Sequence, residues 1–366
     1  MRNLGDTVAR LKSKTRSSFA TGNLLEPVAI PGLNPGRLKA WKYVPDTLPN
    51  NPALVVVLHG CTQTAAAYDA GSGWSMLADR HGFVVLYPEQ QRANNPGLCF
   101  NWYAPEDTRR DRGEAASIRA AIAAILRDHN IDRTRVFVTG LSAGGAMTSA
   151  MLATYPEVFA GGAILAGLPF GSAASMPEAF DRMRGHGLPT ASAAIAAVLT
   201  ASGHPGPWPS VSVWQGSADY TVAPANADAL IAQWAGVHDL DLLDHETNAI
   251  AGHAHRVWRD ASGEPVLEEY RIEGMGHGVP IDTRGVEPCG KPGPYMLEAG
   301  LSSTERLVTH WKLDAKTPAP RVSRPNDLPS RSYAPSPNSE ASGHQPSVPR
   351  VQLIIEDALR RAGLMP

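Results

Sequence analysis

The sequence is short of cysteine, of net charge and of long apolar runs, and each shortage closes off a class of protein. Three cysteines in 366 residues, Cys61, Cys99 and Cys289, are too few for a disulfide-built fold, and their spacing does not fit a zinc site. Lys plus Arg number 33 against 35 Asp plus Glu, a formal net charge of -2, so the chain has no basic excess of the kind that binds nucleic acid. No apolar stretch is long enough for a transmembrane segment, and no internal repeat is visible. The N-terminus carries Arg2, Arg10, Lys12, Lys14 and Arg16 without an apolar core or a small-residue cleavage site. No secretory leader is visible there, so the expected location is cytoplasmic, unless a leader has been removed or export takes a non-standard route. No motif calls for a cofactor or a metal.

What is present is an alternation of apolar strands and helices across residues 26–313. Residues 37–44 alternate polar with apolar and read as an edge strand. Largely apolar runs at 53–58, 83–87, 136–139, 160–168 and 211–214 read as buried strands. Helical patterns fall at 74–80, 114–129, 146–154 and 225–234, and a capping box at Ser302–Glu305 opens another. Strands at 256–259 and 266–272 pair as a hairpin. Residues 89–112 are expected to form a long loop without secondary structure, which points to a functional loop. The 172–210 stretch holds two short helical patches and is expected to form a cap or rim over the site. This alternation implies a doubly wound, mostly parallel sheet. Outside it, residues 1–25 read as a basic arm, 314–350 as a Pro/Ser-rich linker and 351–366 as a short helix docking back on the domain.

The chemistry centres on Gly140-Leu141-Ser142-Ala143-Gly144, a G-x-S-x-G set between a strand and a helix. That is the pattern of a nucleophile elbow: small residues on either side let the serine take a strained conformation at a sharp turn. A serine needs a base, usually a histidine oriented by a carboxylate. Ser142, Asp219 and His277 follow one another in the chain order that an α/β-hydrolase uses, each just after a strand. Taken singly, Asp219 is an ordinary turn or capping residue and His277 sits in an ordinary glycine-rich loop; the set is what carries the reading. Asp228, in mid-helix, and Asp241 are weaker acids, and His253, His255, His129, His204 and His310 weaker bases. Two N–H groups are needed for an oxyanion hole. Ala143 supplies one, and the His59-Gly60-Cys61 turn supplies the other through Cys61. A Cys61–Cys99 disulfide and two free thiols both fit the sequence, with Cys289 unpaired.

Several stretches together resemble the polyhydroxybutyrate-depolymerase-type esterases, α/β-hydrolases related to feruloyl and acetylxylan esterases. They are Leu58-His59-Gly60-Cys61-Thr62, Cys99-Phe100-Asn101-Trp102, Gly140 to Met147, Ala166-Gly167-Leu168-Pro169, Val213 to Asp219 and Gly274-Met275-Gly276-His277-Gly278. The resemblance covers roughly residues 25–313, and the C-terminal helix is similar to tails of bacterial members. It implies an α/β-hydrolase with a small insertion and a C-terminal tail. The expected activity is serine carboxylesterase action on hydroxyalkanoate oligomers, polyester or small acyl esters. Ser142 is then the nucleophile, His277 the base and Asp219 its orienter, with the Cys61 amide in the oxyanion hole. His59, Trp102, Leu168 and Phe170 are expected to bind substrate, while Phe180 and Met183 read first as core. A feruloyl or acetylxylan esterase, with Trp102, Tyr103 and Trp208 as an aromatic rim, is the alternative, followed by an acyltransferase on the same fold. No separate polymer-binding domain is visible.

Overall fold

The computed structural model describes residues 25–314 apart from 31, 33, 286 and 287. The predicted linker and C-terminal helix, and the arm up to residue 24, lie outside the described residues.

The apolar runs become strands with two buried faces. In β3 (Leu54–Leu58) every residue is buried. Leu54, Val56 and Leu58 enter one core cluster, while Val55 and Val57 enter another on the opposite face. β4 (Val84–Glu89) divides the same way, Val84 and Leu86 against Val85 and Tyr87. The two-residue period of a strand therefore feeds two cores at once. β5 (Val136–Leu141), β6 (Gly161–Leu165), β7 (Ser210–Gly216) and β10 (Pro265–Ile272) complete a parallel block in the order β4-β3-β5-β6-β7-β10. Antiparallel strands extend both edges. On one side lie β2 (Lys39–Tyr43) and the two-residue β1 (Glu26–Pro27); on the other lie β9 (His253–Arg259) and β8 (Glu246–Ile250). This is an α/β-hydrolase fold.

The helices are α1 (Ala65–Ser72), α2 (Trp74–His81), α3 (Pro105–Thr108), α4 (Gly113–Asp128), α5 (Ala143–Thr154), α6 (Met176–Met183), α7 (Ala191–Ser202), α8 (Ala225–Val237) and α9 (Ser303–His310). A small parallel pair, β11 (Val279–Ile281) and β12 (Met296–Glu298), lies beyond the main sheet. Among the described residues no helix is long and apolar enough to cross a membrane.

Two sequence expectations are corrected here, and one helix is added. The 89–112 loop contains α3, opened by Pro105 in its first turn. Helix α1 has no counterpart among the sequence expectations, because Gly71 falls within its eight residues and Gly73 ends it; Thr64 caps it by accepting from the Ala67 N–H at 3.2 Å. Most of the 172–210 stretch is not a cap. Ala194 and Val198 of α7 are buried, Val198 lies in the main core, and Gln233 of α8 donates to Ala194 O at 2.9 Å. α7 therefore belongs to the helical layer, and only the end of α6 reaches toward the site.

Candidate active site

β5 delivers Ser142 at φ 58° and ψ −118°, a backbone state that costs about 1–3 kcal/mol and persists only when its surroundings enforce it. Here they do. Ser142 N–H donates to Leu165 O at 2.9 Å, and Ala146 N–H returns to Ser142 O at 2.8 Å. Helix α5 is buried along its whole length, so it cannot shift to relieve the turn. The predicted start at residue 146 is corrected to Ala143, which puts the helix N-terminus directly behind the serine. At Gly144 a side chain has no room: a Cβ would stand 2.5 Å from His59 O and closer still to Leu58 O. The elbow thus presses, backbone against backbone, on the turn that follows β3.

That turn is braced from several directions. Gly60 N–H donates to Gln63 Oε1 at 2.9 Å and Thr62 N–H to Gly97 O at 2.7 Å. Cys61 is joined to Cys99 by a disulfide, while Cys289 is a buried free thiol. Among the described residues neither the Cys61 nor the Ala143 N–H donates in any turn or loop hydrogen bond. The Cys99 side is held in turn by Glu114, which is 1% exposed. Its carboxyl accepts from Asn101 N at 2.8 Å, from Asn101 Nδ2 at 2.8 Å and from Gln90 Nε2, and Gln90 Nε2 also reaches Cys99 O at 3.1 Å. Burial pushes the Glu114 carboxyl up to about 8, against the pull of these donors.

His59 departs from its expected role in substrate binding. The ring is 1% exposed. Its Nδ1 bonds Gly60 O at 2.8 Å, and its Nε2 accepts the Gln90 N–H at 3.1 Å. Both nitrogens are therefore committed inside the protein, and burial pushes the ring's pKa down. Held neutral, His59 ties the turn to the end of β4.

Asp219 and His277 come together from β7 and β10. Asp219 Oδ2 lies 2.7 Å from His277 Nδ1. The carboxylate, 2% exposed, also accepts from Gln215 Nε2 at 3.1 Å, Thr221 N at 2.8 Å and Val222 N at 2.9 Å. A buried charge needs such a set of donors. The two loops are laced to each other: Ser217 N–H meets Ile272 O and Ala218 N–H meets Met275 O, each at 3.0 Å, while Gly274 N–H meets Ser217 Oγ at 2.8 Å. Gly216 permits this contact, since a Cβ there would stand 2.7 Å from Gly276 O. The rival residues have other employment. Asp228 pairs with Arg271, Asp241 caps the Leu243 N–H at 2.9 Å, and His255 pairs with the buried Glu268 at 3.0 Å.

Leu168 is buried with Ala146 and Val222 in a small apolar cluster, on which Trp102 and Met183 pack. Phe170 goes elsewhere: it packs on the main core, and its N–H and C=O are both bonded to Gln233. Trp208 likewise packs edge-on against Trp234, with ring centroids 6.5 Å apart, so it stands in the helical layer and not in an aromatic rim. Tyr295 was missed by the sequence reading. Its ring centroid is 6.2 Å from that of His277, and it is hydrogen-bonded to Thr62. It thus links the histidine side of the site to the Cys61 turn. A lone tyrosine in a Gly/Pro-rich loop gives no periodic signal that could have found it.

A family model described as "Esterase PHB depolymerase" matches residues 40–254. The chain belongs to that family. It is 47% identical over 276 residues to "Poly(3-hydroxyalkanoate) depolymerase C" of Paucimonas lemoignei, covering 75% of this chain and 66% of that protein. It is 34% identical over 281 residues to "Acetylxylan esterase A" of Aspergillus oryzae, covering 75% of this chain and 90% of that one. Among solved structures, an acetyl xylan esterase from Aspergillus awamori superposes with a TM-score of 0.67 at 25% identity, over 80% of this chain and 100% of that one.

Proposed function

We propose that this family member is a serine carboxylesterase that cleaves the ester bonds of hydroxyalkanoate oligomers or polyester chains through an acyl-enzyme. Ser142 Oγ attacks the ester carbonyl carbon and its proton passes to His277 Nε2, the ring nitrogen opposite the one bonded to Asp219. The tetrahedral intermediate places its oxyanion toward the N–H groups of Cys61 and Ala143. Collapse breaks the ester C–O bond, and the leaving alkoxide takes the proton from His277. Water, activated by the same nitrogen, then attacks the acyl-serine and releases the acid.

The observation that carries this reading is the 2.7 Å Asp219–His277 pair, laced to the end of β7 in a fold whose elbow holds Ser142 at φ 58°. The apolar cluster of Ala146, Leu168 and Val222, with the partly buried Trp102 and Met183 packed on it, supports an apolar acyl group. The higher identity to the depolymerase than to the acetylxylan esterases points the same way, and the placement of Trp208 removes one support from the sugar-ester reading. The Cys61–Cys99 disulfide supports an oxidising compartment, and so favours a removed leader or a non-standard export route over the cytoplasm.

The test compares wild type with Ser142→Ala on p-nitrophenyl butyrate, a 3-hydroxybutyrate trimer, amorphous poly(3-hydroxybutyrate) and methyl ferulate. Hydrolysis favouring the hydroxybutyrate substrates and lost in the variant is expected. Preference for ferulate would keep the serine chemistry and reject the substrate class.

A further inference from the structure

The turn that supplies Asp219 sends consecutive side chains to three different places. Asp219 points inward to His277. Val222 is fully buried in the cluster with Leu168, beside Trp102 and Met183. Tyr220, between them, is 95% exposed, the highest value among the large hydrophobic residues exposed on the described surface. Its backbone is nonetheless fixed, because Asp219 Oδ1 accepts the N–H groups of both Thr221 and Val222, and Asp219 N–H bonds Gly216 O at 3.3 Å. The ring is thus held out on a rigid mount, one residue from the carboxylate that pairs with His277 and two from the apolar cluster.

Exposed single hydrophobic residues are common and usually mean nothing. Met76, Leu199, Leu242 and Leu243 are exposed too. They lie on α2, on α7 and in the loop after α8, outside the elbow, the Asp219 turn and the His277 loop. Tyr220 differs by its place and by its mount. A tyrosine presents a broad apolar face with few rotatable bonds, and a pre-ordered turn loses little freedom when that face is covered.

We propose that Tyr220 is a contact residue for the polymer chain outside the acyl site. Its ring lies along an aliphatic polyester strand as that strand leaves the scissile ester, continuing outward from the partly exposed Trp102 and Met183 that pack on the buried Val222 and Leu168. This rests on the serine-esterase reading for the identity of the scissile bond. A polyester, with its alternating methylene and ester groups, suits a ring next to an aliphatic cluster.

Adsorption separates this proposal from the catalytic reading, because it needs no turnover. Binding to amorphous poly(3-hydroxybutyrate) particles is measured in the Ser142→Ala protein with Tyr220→Ala, Tyr220→Trp or Leu243→Ala added. Tyr220→Ala is expected to weaken adsorption about tenfold, equivalent to about 1.4 kcal/mol, while Tyr220→Trp and Leu243→Ala stay within about twofold of the parent. In the active enzyme, Tyr220→Ala should lower the ratio of polymer to p-nitrophenyl butyrate hydrolysis by about the same factor. Equal adsorption by parent and Tyr220→Ala would overturn the proposal, as would an equal loss in Leu243→Ala or a parent that does not adsorb. Loss of adsorption to acetylated xylan in place of polyester would also overturn it, by making Tyr220 a sugar platform. A wild type inactive on every soluble ester would instead count against the esterase reading, and the adsorption result would stand on its own.

Discussion

On the Ser142 side of the site backbone meets backbone: Gly144 lies against the carbonyls of Leu58 and His59, and α5 is buried end to end. On the His277 side the geometry is carried by hydrogen bonds, with Asp219 gathering Gln215, Thr221, Val222 and His277 around one carboxylate. Both arrangements fix a side chain of the proposed triad, but they fail differently. Close packing has no spare room, so an added methyl disturbs fold and chemistry together. A hydrogen-bonded carboxylate can lose its charge, keep its shape and leave the fold standing while the chemistry collapses.

The largest effects test the chemistry on each side. Ser142→Ala and His277→Ala should each lower kcat on p-nitrophenyl butyrate by roughly a hundred-thousandfold or more, with circular dichroism unchanged. Asp219→Asn should cost roughly ten-thousandfold, because the amide favours the wrong histidine tautomer. Asp228→Asn, which removes only a partner of Arg271 on the surface, should stay within about twofold. If Asp228→Asn were the damaging change and Asp219→Asn the silent one, the acid would have been misassigned.

The same contrast explains what could be read in the sequence. Parallel strands announce themselves because both faces are buried: β3, Leu-Val-Val-Val-Leu, is short and β-branched, which favours a strand over a buried helix. The elbow is equally plain, since strain and close approach restrict residue types locally. What stayed hidden depends on distant partners. Nothing in the letters around Glu114 says that it will accept from Asn101 and Gln90, or that His59 will spend both nitrogens inside the protein. Helix α7 reads as a cap in the sequence because its burial comes from α8 and the main core, contacts without a local pattern. The exposed polar strand β8 was missed for the converse reason: it buries almost nothing.

A smaller effect sharpens the backbone side. Gly144→Ala should destabilise the protein by about 1–3 kcal/mol, read as a lowered urea midpoint, and should reduce activity at the same time. Asp219→Asn, whose amide N–H must face the Gln215 donor, should lower that midpoint by a similar amount while costing far more activity. A Gly144→Ala enzyme of normal stability and activity would break the distinction, by showing that the β3 turn can retreat from the elbow.

The last effect, which touches stability and leaves the chemistry alone, concerns the brace behind Cys99. Burial pushes the Glu114 carboxyl from an ordinary 4.5 up to about 8, and the donors from Asn101 and Gln90 pull the other way. With burial prevailing, the folded protein holds a proton there that the unfolded chain has released. Between roughly pH 4.5 and 8 the native state then binds more protons than the unfolded one, so stability falls as pH rises through that window. The thermal midpoint of the wild type should decline over this range, and Glu114→Gln, which cannot ionise, should flatten the slope and be the more stable protein above pH 8. If the donors prevail instead, Glu114 is ionised throughout the window. The wild type would then show no such slope, and Glu114→Gln, turning an amide N–H toward Asn101 or Gln90, would be less stable at every pH. That second pattern would mean that the disulfide-linked turn is braced by a buried charge, and that the Cys61 side of the site depends on hydrogen bonds as much as the His277 side does.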